Sequence, residues 1–153
     1  MSNYQIDAID RKILSFLVNN ARMPFLEIAR ECGISGAAIH QRVRKMENNG
    51  VITGSRMVVK PGALGLNVCA FISVNLSEDN KYPDVVAALK HIPEIVECHY
   101  ITGQYAIFLK VQTKTNKHLK KLIDEKIQPI EGISRTETFI SLEQEFKRQV
   151  PVK

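Results

Sequence analysis

Three positively charged side chains, Arg42, Arg44 and Lys45, lie within four residues in the stretch ECGISGAAIHQRVRKMENNG, which spans residues 31–50. Long cationic side chains grouped in this way can neutralise phosphates or donate hydrogen bonds to the edges of bases. They are equally compatible with the solvated face of a helix that binds no partner. The elements around the cluster decide between these two interpretations.

On a helical wheel at 100° per residue, the apolar residues of this stretch separate from most of the polar ones. Ile39, Val43 and Met46 fall on one side, which predicts a buried face. The opposite side combines long hydrogen-bond donors with the small residue Ala37, which would allow close approach to base edges. Arg42 flanks the apolar stripe, so part of its role is predicted to be structural.

Two further helices are predicted before this one. Residues 7–19 carry apolar side chains at helical spacing, and Pro24 and Gly33 mark the start and the end of a second helix. Ser35 is a good cap for the third helix, which is predicted to run to about Asn48. Only Gly-Ile-Ser then joins the second helix to the third, and this is the spacing of a helix-turn-helix.

A small wing is predicted beside these helices. The run Arg-Met-Val-Val at residues 56–59 follows a turn-prone Thr53–Gly54 and has the composition of a strand. Its arginine would add a phosphate contact. A three-helix bundle with a merely solvated polar face is the alternative at this point. The predicted DNA-contacting residues are Ser35, Ala37, His40, Gln41, Arg42, Arg44, Lys45 and Arg56.

The charge of the chain is concentrated at its N-terminal end. The 153 residues contain 21 Lys and Arg against 16 Asp and Glu, and residues 1–60 hold nine of the former against five of the latter. This asymmetry favours a polyanionic partner for that end. No apolar run approaches the ~20 residues that span a bilayer, and no signal core is present, so we expect neither a membrane span nor export. Three widely spaced cysteines fit a reducing cytoplasm.

The remainder of the chain predicts a second domain. Residues 61–67, PGALGLN, are rich in Pro and Gly and are predicted to be a hinge. Residues 68–153 then alternate strand and helix patterns in the order βαββαβ, that of a ferredoxin-like sandwich. The predicted fold class is α+β, with a winged helix-turn-helix over residues 1–60. The sheet face without helices is still rich in apolar residues and is predicted to meet another subunit.

The chain resembles the Lrp/AsnC transcription regulators over nearly its whole length. The resemblance is carried by IDRKILSFLVNNARMPFLEIARECGIS and RVRKMENNGVITGSRMVVKPGALGL in the first domain, and by PEIVECHYITGQYAIFLKV and GISRTETFISL in the second. It implies a winged helix-turn-helix joined to a ligand-sensing domain. It further implies dimers that assemble into octamers, with amino acid effectors bound between subunits near the central hairpin.

The central hairpin departs from the family pattern. The family usually reads Gly-Asp-Tyr-Asp where this chain reads Gly103-Gln104-Tyr105-Ala106. A carboxylate is the natural partner of an ammonium, so we predict an altered effector choice or a weak response to amino acids. The alternative is that the carboxylate comes from elsewhere, or that backbone groups suffice. The predicted effector-binding residues are Tyr100, Thr102, Gly103, Gln104, Tyr105, Ala106, Thr136 and Thr138.

The sequence therefore predicts a cytoplasmic, sequence-specific DNA-binding transcriptional regulator that senses a small molecule, an amino acid, through an oligomeric C-terminal domain. Its partners are double-stranded DNA, the effector and further copies of the chain. No enzyme, cofactor or metal site is predicted, because no convergent set of titratable groups or metal-ligand spacing is visible. The competing interpretation is a small-molecule binding or metabolic protein whose N-terminal helices form an oligomerisation arm.

Overall fold

The structure, a computed structural model, describes residues 4–153 of the chain. The first three residues of the predicted N-terminal domain therefore lie outside the described range. The chain divides into two compact units. One unit extends up to Val58 and also contains Phe146–Lys153, whereas the other is Val59–Glu145. Residues 146–153 are predicted to belong to the second domain, but in the structure this segment packs with the first unit, where the Lys153 carbonyl accepts a hydrogen bond from Arg11.

Three helices form the first unit: α1 (Ala8–Leu17), α2 (Phe25–Cys32) and α3 (Gly36–Asn48). Asp7 caps α1 by accepting a hydrogen bond from the backbone of Asp10 at 2.8 Å. Gly33 ends α2 in the left-handed conformation with φ +67°, which a residue without Cβ adopts freely. The tight α2–α3 turn predicted from the sequence is thus present.

The first unit is held together by apolar side chains that all three helices contribute. The predicted apolar face of α3 is buried in the core of the first unit, since Ile39 and Met46 are 0% exposed and Val43 is also buried. They meet Ile13 of α1 and Ile28 of α2. The prediction of one apolar and one polar face on α3 is therefore confirmed.

The predicted wing strand is not formed among the described residues. Residues 53–60 are irregular and exposed, and Val58 is 97% exposed. A strand needs a neighbouring strand to receive its backbone hydrogen bonds, and the described part of the chain provides none here. Strand-like composition alone was therefore insufficient for the prediction.

The second unit contains a four-stranded antiparallel sheet and two helices. Its strands are β1 (Val68–Leu76), β2 (Ile95–Tyr100), β3 (Ile107–Thr113) and β4 (Ile133–Ser141). Their order across the sheet is β2-β3-β1-β4. Helix α4 (Tyr82–Leu89) follows β1, and helix α5 (Asn116–Leu122) follows β3. The βαββαβ order confirms the predicted ferredoxin-like arrangement.

Successive residues of a strand point to opposite faces of the sheet, so β1 has one face toward the helices and one open face. Ala70, Ile72 and Val74 are 0% exposed and form the core with the helices. On the open face, the rings of Phe71 and Phe108 stack with centroids 5.6 Å apart. The sheet therefore has one face covered by the helices and one open face that carries aromatic side chains.

Two segments of the second unit, the predicted hinge and the end of its second predicted helix, differ from the predicted pattern. The predicted hinge contains a 3-10 helix at Pro61–Leu64, and Gly65 ends it with φ +75°. The last part of the second predicted helix is a π-helix at Ile123–Ile127. Its inward residue Ile127 is nevertheless 0% exposed, so the wider turn keeps the predicted apolar face.

Candidate nucleic-acid interface and effector pocket

The outward face of α3 forms an open groove of about 700 Å³. Five predicted DNA-contacting residues come together along it, and each is exposed. The lining residues are Ala37, His40, Gln41, Arg44, Lys45, Asn48 and Asn49. The groove therefore carries two cations and several side chains that can donate or accept hydrogen bonds. These are the groups that contact phosphates and base edges.

The N-terminal end of α3 is fixed by its cap and by one ring contact. Ser35 is exposed, and its hydroxyl accepts a hydrogen bond from the Ala38 backbone at 3.1 Å. The His40 ring meets the Phe25 ring edge-on, with centroids 4.5 Å apart. Both contacts orient the first turn of α3, where the free backbone N–H groups of a helix favour a phosphate.

Arg42 differs from the other cations of α3 because its guanidinium pairs with two carboxylates. Its Nη1 lies 2.7 Å from Oδ2 of Asp7 and 2.8 Å from Oδ1 of Asp10. Asp10 is only 1% exposed, so its charge needs a partner. The structure thus gives Arg42 a structural role and removes the geometric support for the prediction that it contacts DNA.

The same charged cluster includes a tyrosine and a second cation of α3. The Tyr4 hydroxyl donates a hydrogen bond to Asp10 Oδ2 at 2.7 Å. Burial, with the Asp10 contact, raises the pKa of Tyr4 to about 12. The Lys45 ammonium lies 5.0 Å from the centre of the Tyr4 ring, within the range of a cation–π interaction. Residues before α1 therefore help to position α3.

Arg56 lies apart from the α3 groove. It belongs to the irregular segment 53–60 and is exposed, but it does not line the groove. Within this segment, Met57 is anchored through its sulfur, which lies 3.5 Å from an Arg22 nitrogen. The structure gives no wing strand to direct Arg56 toward a phosphate, so that contact stays a prediction.

The second site is an open pocket of about 360 Å³ at one end of the sheet, beside the central hairpin, residues 101–106. Six of the eight predicted effector residues come together here. They are Tyr100, Thr102, Gly103, Gln104, Tyr105 and Ala106. The volume lies in the range of about 300–1,000 Å³ that is typical of small-molecule sites.

The central hairpin has a compact turn. The Ile101 backbone donates to the Ala106 carbonyl at 2.9 Å, and the Ala106 backbone donates to the Val74 carbonyl at 3.1 Å. Gly103 has φ +110°, a conformation that side-chain-bearing residues rarely adopt. Residues 102–105 of this turn all line the pocket.

Thr136 and Thr138 do not line this pocket, so their contact with the effector stays a prediction. They pair with Val74 and Ile72 of β1 and so share the helix-facing side of the sheet. Thr136 also accepts a hydrogen bond from Gln128 at 3.2 Å. The residue between them, Glu137, faces the other way. Its carboxylate accepts a hydrogen bond from the Tyr105 hydroxyl of the hairpin.

Four pocket residues were not predicted from the sequence, and one of them, Ile101, directly follows β2. Asn75 and Leu76 end β1, and Asp79 begins the 3-10 helix Asp79–Lys81 that follows. Oδ1 of Asn75 is buried and accepts no hydrogen bond from residues 4–153. Asp79 places a carboxylate beside a hairpin that has none of its own. The end of a strand followed by an acidic turn was the one sequence signal available for them.

Within residues 4–153, no group of three or more His, Cys, Asp and Glu side chains is placed to hold a metal ion. The three cysteines, Cys32, Cys69 and Cys98, are free thiols. No helix among the described residues is long and apolar enough to cross a bilayer.

Comparisons with known proteins match both units. Residues 6–47 match the AsnC-type helix-turn-helix domain, and residues 69–151 match the Lrp/AsnC ligand binding domain. The regulatory protein AsnC of Escherichia coli (strain K12) is 41% identical over 150 residues, covering 98% of this chain and 99% of the relative.

Solved structures agree with these matches. The structure of E. coli AsnC superposes with a TM-score of 0.91, covering 96% of this chain and 99% of that one. The feast or famine regulatory protein from M. tuberculosis complexed with L-methionine superposes with a TM-score of 0.91 at 27% identity, covering 97% of this chain and 100% of that one.

Proposed function

The chain belongs to the Lrp/AsnC family of transcriptional regulators, and we propose that it binds DNA through the outward face of α3. The observation that carries this proposal is the exposed groove lined by Gln41, Arg44 and Lys45. A helix of 13 residues is about 20 Å long and fits a major groove about 12 Å wide. In a two-fold dimer, two such helices reach successive major grooves about 34–36 Å apart on a pseudopalindromic site.

A mobility-shift titration against the DNA upstream of the protein's own gene, at several salt concentrations, tests this proposal. Arg44→Ala is expected to weaken binding by about 5–100-fold if Arg44 contacts a base, or to lower the salt slope by about 1 if it contacts a phosphate. Lys90→Ala, the matched control, removes one exposed positive charge that follows α4. Equal binding and equal salt slope for the parent and Arg44→Ala would contradict the proposal.

The pocket beside the central hairpin is the proposed effector site. Six predicted residues line it, and a structural relative from M. tuberculosis is complexed with L-methionine, which supports an amino acid as the ligand class. Because Gln104 and Ala106 leave the hairpin without an acid, the response to amino acids is proposed to differ from the usual family pattern. Calorimetric titration with the common amino acids tests this point, and tight binding of several at micromolar concentrations would contradict it.

The open face of the sheet is the proposed subunit interface. Phe139 of β4 is 47% exposed and lies opposite Phe71 in the ladder with β1, and Phe71 stacks on Phe108 of β3. An apolar surface of this kind is typical of a protein–protein contact. We propose a homodimer that assembles further to an octamer. Light scattering coupled to size-exclusion chromatography gives the mass directly, and a monomer at micromolar concentration would refute the interface.

A regulator acts where the chromosome is transcribed, so the proposed location is the cytoplasm. The three free thiols are compatible with its reducing conditions. Fractionation of cells that produce the protein tests this location.

A further inference from the structure

We propose that Asp79 supplies the carboxylate that binds the ammonium of an amino acid effector, while the turn of the central hairpin binds the effector's carboxylate. This inference rests on the proposed effector site beside that hairpin. It also accounts for the hairpin sequence Gly103-Gln104-Tyr105-Ala106, because the acid then comes from the segment after β1 instead.

The first observation concerns the charge available in the pocket. Among the described residues that line it, Asp79 has the one carboxylate. Asp79 is exposed, and no described residue forms an ion pair or a side-chain hydrogen bond with its carboxylate. The nearby cation Lys81 is instead paired with Glu131 at 2.9 Å. The Asp79 carboxylate is therefore available to a cationic group of a ligand.

The second observation concerns hydrogen-bond donors across the pocket. The hairpin is closed by the bond from Ile101 to Ala106. The backbone N–H groups of residues 102–105 form no hydrogen bond with the described part of the chain. Successive free N–H groups in a turn make a concave site for an anion. A carboxylate held there would lie in the same pocket as Asp79.

The third observation is the buried amide of Asn75. Its Oδ1 accepts no hydrogen bond from residues 4–153 and belongs to a residue that lines the pocket. An ammonium has three donors, so a bond to Asp79 leaves two for other acceptors. Asn75 Oδ1, which is buried in this structure, can take one of them once the Asn75 side chain turns toward the ligand. The pocket thus offers acceptors on the β1 side and donors on the hairpin side, which is the pattern of a zwitterion.

The test uses the full-length protein and isothermal titration calorimetry with the common L-amino acids. The amino acid that binds the parent most tightly is then compared with the 2-hydroxy acid that has the same side chain. Asp79→Asn, of nearly equal shape, removes the charge. Glu78→Gln is the matched control, since Glu78 is adjacent and exposed but does not line the pocket.

We expect Asp79→Asn to weaken amino acid binding by about 10–100-fold, the effect of a hydrogen bond to a charged group. Glu78→Gln is expected to stay within about 2-fold of the parent, because exposed charges interact weakly. The parent should prefer the amino acid over the 2-hydroxy acid, and Asp79→Asn should lose most of that preference. Unchanged DNA binding without effector, measured by mobility shift, shows that the variant is folded.

Two results separate this inference from the proposed function. If the parent binds an amino acid and Asp79→Asn binds it equally well, the role of Asp79 is refuted while the effector site stands. If the parent binds none of the amino acids, the role of Asp79 and the amino acid ligand class of the site both fail, whereas the proposed difference from the usual family response stands. The 2-hydroxy acid is an independent check that needs no variant, because equal binding of the amino acid and the 2-hydroxy acid by the parent also refutes the ammonium contact.

Discussion

Replacing Arg42 with methionine tests whether this residue stabilises the first unit or contacts DNA. The change keeps the apolar stem of the side chain and removes the Nη1 contact to Asp10 at 2.8 Å. Asp10 is 1% exposed, and an unpaired buried charge costs about 3–5 kcal/mol. Asp10 keeps the hydrogen bond from Tyr4, and the Arg42 side chain is itself 31% exposed. These two facts reduce the expected loss of unfolding free energy to about 2–3 kcal/mol.

A loss of this size lowers the melting temperature of a unit of 60–100 residues by about 8–20 °C. Calorimetry on the parent, Arg42→Met, Asp10→Asn and the double variant measures it and completes a double-mutant cycle. Because the two side chains are in direct contact, the double variant should be less destabilised than the sum of the single variants by about 1 kcal/mol or more. Arg44→Ala is the matched control, and its stability should stay within about 0.5 kcal/mol of the parent's.

DNA binding by the same variants decides the question. At a temperature where both variants are folded, Arg42→Met should keep the salt slope of the parent, whereas Arg44→Ala should lose affinity. A melting temperature equal to the parent's, together with a salt slope lower by about 1, would show that Arg42 contacts DNA. That result would refute the structural role of the Asp10 pair.

Three further predictions concern the stability of the two units. Gly132→Ala should cost about 2–4 kcal/mol, because Gly132 has φ +100° and an added Cβ would lie 2.8 Å from Cβ of Lys81. Gly103→Ala, which is strained but has open space, should cost only about 1–2 kcal/mol by chemical denaturation, and equal costs would contradict the steric explanation. The hydrogen bond from Lys126 lowers the pKa of Glu94, so Glu94 stabilises the fold above the pKa of an unfolded glutamate, and this contribution is lost as the pH falls through its lowered folded value. Lys126→Met should therefore flatten the acid side of the stability curve, measured by thermal melts below about pH 6, and an unchanged curve would refute the pairing. Ser35→Ala should destabilise α3 by about 1 kcal/mol through loss of its cap, and a melting temperature equal to the parent's would show that the cap contributes nothing.

The helices could be predicted from the sequence because a helix is stabilised by contacts within its own segment and by one apolar stripe. Residues 36–48 show both features, and α3 indeed ends at Asn48. The run 56–59 has strand composition but no neighbouring strand in the described chain, and composition does not specify a partner. The π-helix at Ile123–Ile127 keeps the same inward residues as an α-helix would, so no pattern distinguishes it.

The candidate sites were predictable to a different extent. The hairpin residues are consecutive in sequence, so the family resemblance located them together. Asp79 reaches the same pocket only through the fold, and no local pattern connects it with Gln104. The face of the sheet on which Thr138 lies follows from the alternation of side chains along β4. Since Glu137 lies between two residues that face the helices, alternation along β4 assigns it to the opposite side.

The polar residues that position α3 differ from those on its outward face, and this difference has a consequence for divergence among related regulators. Asp7, Asp10 and Arg42 hold the helix in place, whereas Gln41 and Arg44 are exposed and belong to no hydrophobic core cluster. Substitutions at the exposed positions change stability little. After gene duplication, the operator preference of a copy can therefore drift one exposed residue at a time, without any intermediate that fails to fold.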